Sequence, residues 1–355
     1  MKFKNEFIKK KFVYEKIYDK WLDKLKVNTS MRNSLYFLKS EIIFTLIMAP
    51  KIIKNYYSKI QREIKKIQPN FVFTYSNITL LQNLFIFLAK KNNIKTVYLQ
   101  HGGGLGTALV PKNEFFFNPV DFLLTYGVQN NFFKPNFIKK KKLIIPTGCF
   151  ELLKKNNYLK ENSHSFLNKI LYISDGNVTV SSIKRKMTNY NLYTTQKKIL
   201  TFLSKIQKFK ISYRPWINKI ESGIINYINN NFKKIKIEYS KNIHSQILKN
   251  DIIITDSASG IVLYKSLTLN KKIFFIYDED VTTYSKIFLR DLKKVAIVAK
   301  NQKEINNILK YFTNDKINKV FAKTNKYRKK FMKKYIFGGK SKFDCYSLHD
   351  SIINI

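Results

Sequence analysis

Residues 251–276 read DIIITDSASGIVLYKSLTLNKKIFFI: a strand-like run, a helix-length segment and a second strand-like run. Asp251–Thr255 and Lys272–Ile276 are apolar without alternation, which is typical of strands that are buried on both faces. The segment between them, Ser259–Leu269, is mostly apolar and is predicted to be a helix. A strand, a helix and a strand in this order predict two parallel strands in a sheet that helices cover.

The same alternation continues in both directions along the chain, so residues 251–276 are one unit of a longer series. Further strands are predicted at Phe71–Tyr75, Thr96–Gln100, Asp121–Tyr126, Leu143–Pro146, Ile170–Ser174, Lys210–Arg214, Ile235–Tyr239 and Val295–Val298. Further helices are predicted at Ile78–Lys91, Tyr193–Lys208, Ile217–Phe232 and Lys303–Phe312. The series predicts an α/β fold with two doubly wound, Rossmann-like parallel-sheet domains that face each other across a cleft.

A polar stretch at residues 154–165 separates the two halves of the series and is interpreted as an interdomain linker. The first Rossmann-like domain is then predicted at residues 66–155, and the second at residues 166–315. Residues 1–65 are predicted to form a basic helical segment ahead of them, and residues 316–355 a helical tail behind them.

The composition is that of a folded protein, with 45% hydrophobic and 15% aromatic residues in a chain of 355. Two cysteines, Cys149 and Cys345, exclude a disulfide framework, and no Cys/His cluster indicates a zinc site. The sequence shows no signal peptide, and its best apolar run, Ile42–Pro50, is too short to span a bilayer. We therefore expect a cytoplasmic protein, with peripheral contact at the inner face of the cell membrane left open.

The charge is strongly unbalanced, since 66 basic and 23 acidic residues give a net +43. Such a charge attracts polyanions, which include anionic lipid headgroups and nucleic acid. The basic residues are spread along the whole chain, however, and no nucleic-acid-binding signature accompanies them. We interpret the charge as compositional bias with weak attraction to an anionic membrane, and we expect no specific nucleic-acid partner.

Ligands of doubly wound sheets bind at the carboxyl ends of the strands, and the loop QHGGGLG after the second strand is unusual there. Its consecutive glycines let the backbone approach a ligand closely. The ordinary pKa of a histidine lies near neutrality, which suits His101 as a general base for a hydroxyl group. The alternative is a glycine-rich turn beside a structural histidine. The candidate residues of this region are Gln100, His101, Gly102, Gly103, Gly104 and Glu114.

The loop after Asp251–Thr255 joins a strand to a helix through the small polar residues TDSASG. Their side chains can cap the helix, and the free N–H groups at such a helix start also bind phosphate. An ordinary N-cap is the alternative. Because two serines and a glycine surround one cap, we favour a phosphate site, with the candidates Asp256, Ser257, Ser259 and Gly260.

Two more loops of the second half open at the same edge of the predicted sheet. Arg214-Pro215 holds a guanidinium in a rigid turn at a strand end, where arginine can bind phosphate oxygens with two hydrogen bonds. Trp216 either stacks on a base or closes the core. The loop SDGN after the strand Ile170–Ser174 is a further candidate contact. The residues concerned are Arg214, Trp216, Ser174, Asp175 and Gly176.

The ordered set of these motifs resembles bacterial surface-carbohydrate and capsule transferases of GT-B fold, including relatives of CDP-glycerol glycerophosphotransferases. The resemblance covers roughly residues 70–300, with the strings YLQHGGGLGT, NEFFFNPVDFLLTYG and TDSASGIVLYKSLTLNKKIFF. Such proteins carry an HG motif, a basic-Pro turn and a D-x-S-S helix start ahead of an NKPI strand. The matching positions here are His101-Gly102, Arg214-Pro215, Asp256–Ser259 and Asn270–Ile273.

The resemblance implies transfer of a glycosyl or polyol-phosphate group from a nucleotide-activated donor to a hydroxyl of a glycan or lipid-linked acceptor. It implies that the C-terminal domain binds the donor, with Arg214 and the serine-rich helix start at its phosphate. The N-terminal domain would bind the acceptor, and His101 would take its proton. Arg-Pro stands where many relatives have His-Pro, so CDP-, CMP- and UDP-linked donors all stay open.

Neither a cofactor nor a metal is expected, because no DxD-like acidic pair ends a strand in the donor loop. The acidic run Asp278-Glu279-Asp280 is interpreted as a loop at the cleft edge. Two alternatives to a transferase are kept. A nucleotide-sugar epimerase of the same fold would work without an acceptor, and a non-catalytic subunit of a surface-polysaccharide system would bind ligand without transfer.

Overall fold

A computed structural model describes residues 2–24, 39–75, 80–100, 120–127, 143–149, 152, 168–174, 189–215, 222–240, 242–256, 261–277, 279, 284–300, 302–313 and 317–339. These residues form the helices α1 (Lys2–Lys24), α2 (Lys39–Ile67), α3 (Leu80–Lys91), α4 (Asn189–Ser204), α5 (Ser222–Asn231), α6 (Ile243–Lys249), α7 (Ile261–Thr268), α8 (Lys286–Leu292), α9 (Gln302–Thr313), α10 (Ile317–Ala322) and α11 (Asn325–Tyr335). They form the strands β1 (Phe71–Thr74), β2 (Lys95–Leu99), β3 (Phe122–Thr125), β4 (Leu143–Pro146), β5 (Lys169–Ile173), β6 (Lys210–Arg214), β7 (Ile235–Ile237), β8 (Ile252–Thr255), β9 (Lys272–Ile276) and β10 (Ile297–Ala299).

Six of the strands form one parallel sheet, in the order β10-β9-β8-β5-β6-β7. The chain runs outward from β5 through β6 to β7, returns to β8 beside β5, and continues outward through β9 to β10. This is the doubly wound Rossmann order, and the direction of winding reverses between β5 and β8. Ligands of such sheets bind at the carboxyl ends of the strands beside the reversal.

Helices cover both faces of this sheet, as the unbroken apolar strands predict. One face packs against α4, α5 and α9 in a core that contains Tyr172, Tyr213 and Phe274. The other face packs against α7, α8 and α11 in a core that contains Phe275 and Phe288. All five side chains are fully buried, and burial of each contributes roughly 1.5–3 kcal/mol. The two-sided core fixes which residues can appear at the carboxyl edge.

The remaining strands form a sheet with the order β1-β2-β3-β4. β1 pairs with β2 and β3 pairs with β4, both in parallel. Together with the six-stranded sheet, this arrangement confirms the predicted α/β fold built on two parallel sheets.

The chain divides into two compact units, of which the first contains residues 1–98 and 116–121 and the second residues 99–115 and 122–355. In the first unit, α1 and α2 pack together around the buried side chains of Tyr18 and Ile43. A second small core joins α2, α3 and the β1–β2 pair through Ile64, Val72, Leu84, Leu88, Ala89 and Ile94.

In the second unit, the ends of β3 and β4 pack against α11 and the residues that follow it. The N–H of Cys149 donates to the carbonyl oxygen of Ile336 at 2.7 Å. A Cβ atom at Gly127 would lie 2.7 Å from the Cα of Tyr335. Gly338 has φ +60°, and a Cβ there would lie 2.7 Å from the carbonyl oxygen of the last β4 residue. Both positions therefore require glycine.

All ten predicted strands are present, and their bounds differ from the predicted ones by at most two residues. The helices α6 and α8 were not predicted, because seven residues are too few to show an apolar repeat. Both carry a side-chain N-cap, from Asn242 and Ser285 respectively, and this signal could have revealed them.

The apolar run Ile42–Pro50 belongs to α2, which continues through the proline to Ile67. Within the part of the chain that the structure describes, no helix has both the length and the apolar character needed to cross a membrane. The predicted linker at residues 154–165 lies outside the described residues, so the domain bounds stay a prediction.

Candidate functional site

The carboxyl ends of β5, β6 and β8 lie side by side where the winding of the six-stranded sheet reverses. Ile173 pairs with both Arg214 and Thr255, so the strands end at the same level. The N–H of Ser174 donates to the carbonyl oxygen of Arg214 at 3.5 Å. The structure thus brings together the predicted site residues Ser174, Arg214 and Asp256, which immediately follow or end these strands.

Arg214 is a buried cation, with only 6% of its surface exposed. Its Nη2 donates to the carbonyl oxygen of Ser240 at 3.4 Å, whereas its buried Nε has no hydrogen-bond partner. Among the described residues no carboxylate forms an ion pair with it. Burial lowers the pKa of Arg214, because desolvation penalises the charged form. An uncompensated guanidinium of this kind favours an anionic ligand.

A second buried arginine, Arg328 in α11, shows what a purely structural role looks like. Its Nη1 donates to the side chain of Asn270, and its Nη2 donates to the carbonyl oxygen of Lys271 at 3.1 Å. Those bonds tie α11 to the turn before β9. Arg328 shares with Arg214 a buried Nε that has no hydrogen-bond partner. Arg214 differs because its one hydrogen bond within the described residues is long, and because it lies at the edge of the sheet where ligands bind.

Two buried tyrosines that the sequence analysis did not select hold the neighbouring polar groups. Tyr172 donates its hydroxyl to Oδ2 of Asp256 at 2.7 Å, and the hydroxyl of Tyr213 lies 2.9 Å from Oγ of Ser174. The two rings are 5.3 Å apart, and both are 0% exposed. Because neighbouring residues of a strand point to opposite faces, these hydroxyls and the guanidinium of Arg214 approach the strand ends from different sides.

A tyrosine in a buried strand is a signal that could have identified Tyr172 and Tyr213. A buried phenol hydroxyl normally needs a hydrogen-bond partner. The polar residues Ser174 and Arg214 at the carboxyl ends of β5 and β6 lie within two residues of the tyrosines along the chain, and Ser212 is a further polar neighbour of Tyr213. The two tyrosines therefore position Asp256 and Ser174 at the carboxyl edge.

Gln100 is buried and engaged with the backbone of the neighbouring strand. Its N–H donates to the carbonyl oxygen of Leu124 at 2.9 Å, and its Oε1 accepts from the N–H of Tyr126 at 2.7 Å. These bonds hold the backbone at the point where the glycine-rich segment begins. The backbone N–H and the side-chain Oε1 of Gln100 are thus engaged with β3 and the residue after it, and the predicted contact of Gln100 with the acceptor stays a prediction.

The other predicted site residues lie outside the described residues, and their roles stay predictions. They are His101, Gly102, Gly103, Gly104, Glu114, Asp175, Gly176, Trp216, Ser257, Ser259 and Gly260. Asp278 and Asp280 of the acidic run also lie outside the described residues. In the described part of the chain, no group of three or more His, Cys, Asp or Glu side chains is placed to hold a metal ion.

Solved structures with the same fold include two proteins that hold uridine nucleotides. The UDP-GlcNAc 2-epimerase from Neisseria meningitidis, bound to UDP-GlcNAc, has a TM-score of 0.56 and 13% identity, with 86% of this chain and 82% of that chain covered. The S. aureus MnaA–UDP co-structure has a TM-score of 0.52 and 11% identity, with 86% and 80% covered. These similarities confirm the predicted GT-B type of fold, with two Rossmann-like domains.

The sequence itself matches one protein family over most of its length. The model of the LIC12162 family transferase matches residues 3–325, which include Gln100, Ser174, Arg214 and Asp256. No curated protein matches the chain significantly. The family match confirms the prediction that the chain is an enzyme of the transferase class.

Proposed function

The chain belongs to the LIC12162 family of transferases, and from this premise we propose that it moves a glycosyl or polyol-phosphate group from a nucleotide-activated donor to a hydroxyl acceptor. The acceptor is a glycan or a lipid-linked carbohydrate, and the product is a bacterial surface polysaccharide. The resemblance to the group of CDP-glycerol glycerophosphotransferases supports this finer assignment.

The observation that carries the proposal is that Arg214 is buried at the carboxyl edge of the sheet, with no counter-ion among the described residues. A charged group that leaves water without a partner destabilises the fold, unless a ligand supplies the opposite charge. Every nucleotide-activated donor contains a phosphate, and arginine can bind two phosphate oxygens at once. Arg214 lies where doubly wound sheets bind ligands. The uridine nucleotides in two structures of the same fold support a donor of this class.

The polar groups beside Arg214 are proposed to orient the rest of the donor. Tyr172 holds the carboxylate of Asp256 at the start of the serine-rich segment, and Tyr213 holds the hydroxyl of Ser174. The proposed phosphate contacts at Ser257 and Ser259 follow directly in the chain. Both tyrosines are therefore proposed as positioning residues.

In the proposed reaction, the acceptor oxygen forms a bond to the anomeric carbon of the donor, or to the phosphorus of a polyol phosphate. The bond from that centre to the nucleotide phosphate breaks, and its electron pair leaves with the nucleotide. His101 takes the proton of the acceptor hydroxyl. Arg214 stabilises the negative charge that the leaving phosphate gains.

Ligand binding by an Arg214 variant tests the proposal. UDP-GlcNAc, CDP-glycerol and CMP-N-acetylneuraminate are titrated against the full chain by calorimetry and thermal shift, and at least one is expected to bind. Arg214→Met is expected to weaken the tightest of these ligands by about tenfold or more, since a hydrogen bond to a charged group contributes about 1.5–3 kcal/mol. The control is Arg290→Met, because the side chain of Arg290 is 69% exposed.

The stability of the ligand-free Arg214→Met variant separates loss of a ligand contact from loss of the fold. Because the substitution removes a buried cation that has no ion-pair partner among the described residues, the ligand-free variant is expected to unfold at the same or a higher temperature than the wild type. Unchanged donor affinity in Arg214→Met would show that Arg214 does not bind the donor. Failure of all three compounds to bind the wild type would contradict the proposed class of nucleotide-activated donor.

A further inference from the structure

A groove of about 450 Å³ opens on the helical layer that covers one face of the six-stranded sheet. Residues of α4 line most of it, and α5 and α9 contribute one residue each. Its volume lies within the range of small-ligand sites. Three lysines and three tyrosines dominate the lining: Lys197, Lys198, Lys205, Tyr190, Tyr193 and Tyr227. None of these residues belongs to the proposed donor site.

The positive charge of the groove has no acidic counterpart on α4 or α5, neither of which contains an aspartate or a glutamate. The helix α9, which contributes Asn306, carries Glu304 in its first turn, where Oε2 accepts from the N–H of Lys300 at 2.9 Å. Among the described residues, Lys197, Lys198 and Lys205 form no ion pair. The spacing from Lys198 to Lys205 is two helical turns, so the ammonium groups follow one side of the groove. The groove therefore fits an anionic ligand.

Aromatic rings hold the most central of these charges in place. The Nζ of Lys197 lies 4.5 Å from the ring centroid of Tyr227 and 5.4 Å from that of Tyr193. The two rings meet edge to face, with centroids 6.4 Å apart. The hydroxyl of Tyr227 lies 3.3 Å from Oγ1 of Thr201. The charge is thus pre-organised beside hydroxyl groups.

We propose that this groove binds an acidic oligosaccharide. The ammonium groups match its carboxylates or phosphates, and the tyrosine and threonine hydroxyls match its hydroxyl groups. Tyr190, whose surface is 74% exposed, offers a ring face for the apolar side of a sugar. Single-stranded nucleic acid fits less well, because its bases need open ring faces, and Lys197 lies over the rings of Tyr193 and Tyr227.

The groove follows α4 from Tyr190 to Lys205, a distance of about 22 Å at the rise of a helix. Such a length suits a chain of several sugars. If the proposed transferase extends an acidic polysaccharide, the groove binds its acceptor chain; this identity rests on the proposed function, whereas the binding itself does not.

The test uses hexagalacturonate as the acidic probe and maltohexaose as the neutral one, with calorimetry on the full chain at fixed ionic strength. The triple variant Lys197→Ala, Lys198→Ala, Lys205→Ala is expected to lose about tenfold or more in hexagalacturonate affinity. A matched triple variant replaces three exposed lysines elsewhere in the same unit: Lys233, Lys234 and Lys249. This control removes the same charge and is expected to change the affinity by less than about twofold.

Because Lys197 is half-buried, the double variant Lys198→Ala, Lys205→Ala is measured as well, and thermal unfolding checks that each variant is folded. Equal losses in the groove and control triples would overturn the proposal in favour of general charge attraction. Tighter binding of a dT10 oligonucleotide than of hexagalacturonate, lost in the groove triple, would also overturn it. Arg214→Met is expected to bind hexagalacturonate normally, and the groove triple is expected to bind the nucleotide donor normally. The two measurements therefore test the groove and the donor site separately, so that one proposal can fail without the other.

Discussion

The surroundings of a side chain determine its burial and its hydrogen-bond partners, and Arg214 is the clearest example. It is one of 66 basic residues in a chain with a net charge of +43. The sequence places it at a strand end, but several lysines are also predicted at strand ends. Its burial and its unpaired Nε distinguish it from the exposed lysines of the surface. These properties depend on Ser240 and on the neighbouring strands, which come from elsewhere in the chain.

Asp291 is a carboxylate whose contribution to stability should depend on pH. Burial alone would raise its pKa, but hydrogen bonds from Lys334 at 2.6 Å and Tyr335 at 2.9 Å outweigh this, so the pKa of Asp291 is lower than its ordinary value. A group whose pKa falls on folding stabilises the folded state above its unfolded pKa. This stabilisation is lost as the pH falls through the folded pKa.

We therefore expect Asp291→Asn to lower the free energy of unfolding at pH 7 by about 1–3 kcal/mol. The difference from the wild type should shrink as the pH falls from the ordinary pKa of an aspartate through the lower pKa of Asp291 in the folded protein. Urea denaturation at several pH values measures both quantities. Glu279→Gln is the control, because its carboxylate is 57% exposed. A difference that stays constant from pH 7 to pH 3 would contradict this account.

The space around a glycine decides whether a larger side chain fits between secondary-structure elements, and Gly127 and Gly223 differ in this respect. Gly127 follows β3 and lies against α11, where a Cβ atom would approach the Cα of Tyr335 to 2.7 Å. Real Cβ atoms do not come this close to backbone, so one of the two elements would have to move. Gly223 in α5 has more room, since its nearest neighbour is the ring of Tyr193 at 3.7 Å.

Gly127→Ala is accordingly expected to destabilise the protein by about 1–3 kcal/mol, as overpacked positions do. Gly223→Ala is expected to be neutral or to stabilise the protein by up to about 1 kcal/mol, because alanine favours helix over glycine. Chemical denaturation of the two variants in parallel gives the comparison. Similar stabilities for both would mean that the end of β3 can move away from α11 at little cost.

At the scale of the whole molecule, the proposed transfer depends on residues of the two halves of the chain. The donor-side groups follow strands of the six-stranded sheet, and His101 follows β2 of the other sheet. A general base contributes about 10²–10⁴-fold to the rate. We expect His101→Ala to lower the transfer rate by this factor while the donor affinity stays within about twofold, because a base does not need to hold the donor.

The measurement is incorporation of label into glycan or lipid, with the donor that the thermal-shift screen identifies. His244→Ala, in the short helix α6, is the matched control. Wild-type transfer by the His101 variant would exclude this histidine as the base. Conversion of UDP-GlcNAc to its epimer in the absence of any acceptor would instead favour the epimerase that shares this fold.

Reasoning from the amino acids alone was sufficient for all ten strands, because an unbroken apolar run bounded by polar residues is a local property. It failed for α6 and α8, which are shorter than one full apolar repeat. It predicted that Ser174, Arg214 and Asp256 meet at one edge of the sheet, because each ends or directly follows a parallel strand, and the structure places them there. Their role in ligand binding stays a prediction. The family resemblance supplied the transferase class, which the match over residues 3–325 confirms.

Packing between distant parts of the chain determined the hydrogen bonds and the burial of the residues at the candidate site. The hydrogen bond from Tyr172 to Asp256 joins residues 84 apart, and that between Ser174 and Tyr213 joins residues 39 apart. The burial of the Arg214 guanidinium likewise depends on which strands and helices exclude water around it. The pattern of apolar and polar residues in a segment indicates its preferred secondary structure. The burial and the hydrogen-bond partners of a side chain depend on segments that meet only in the folded protein.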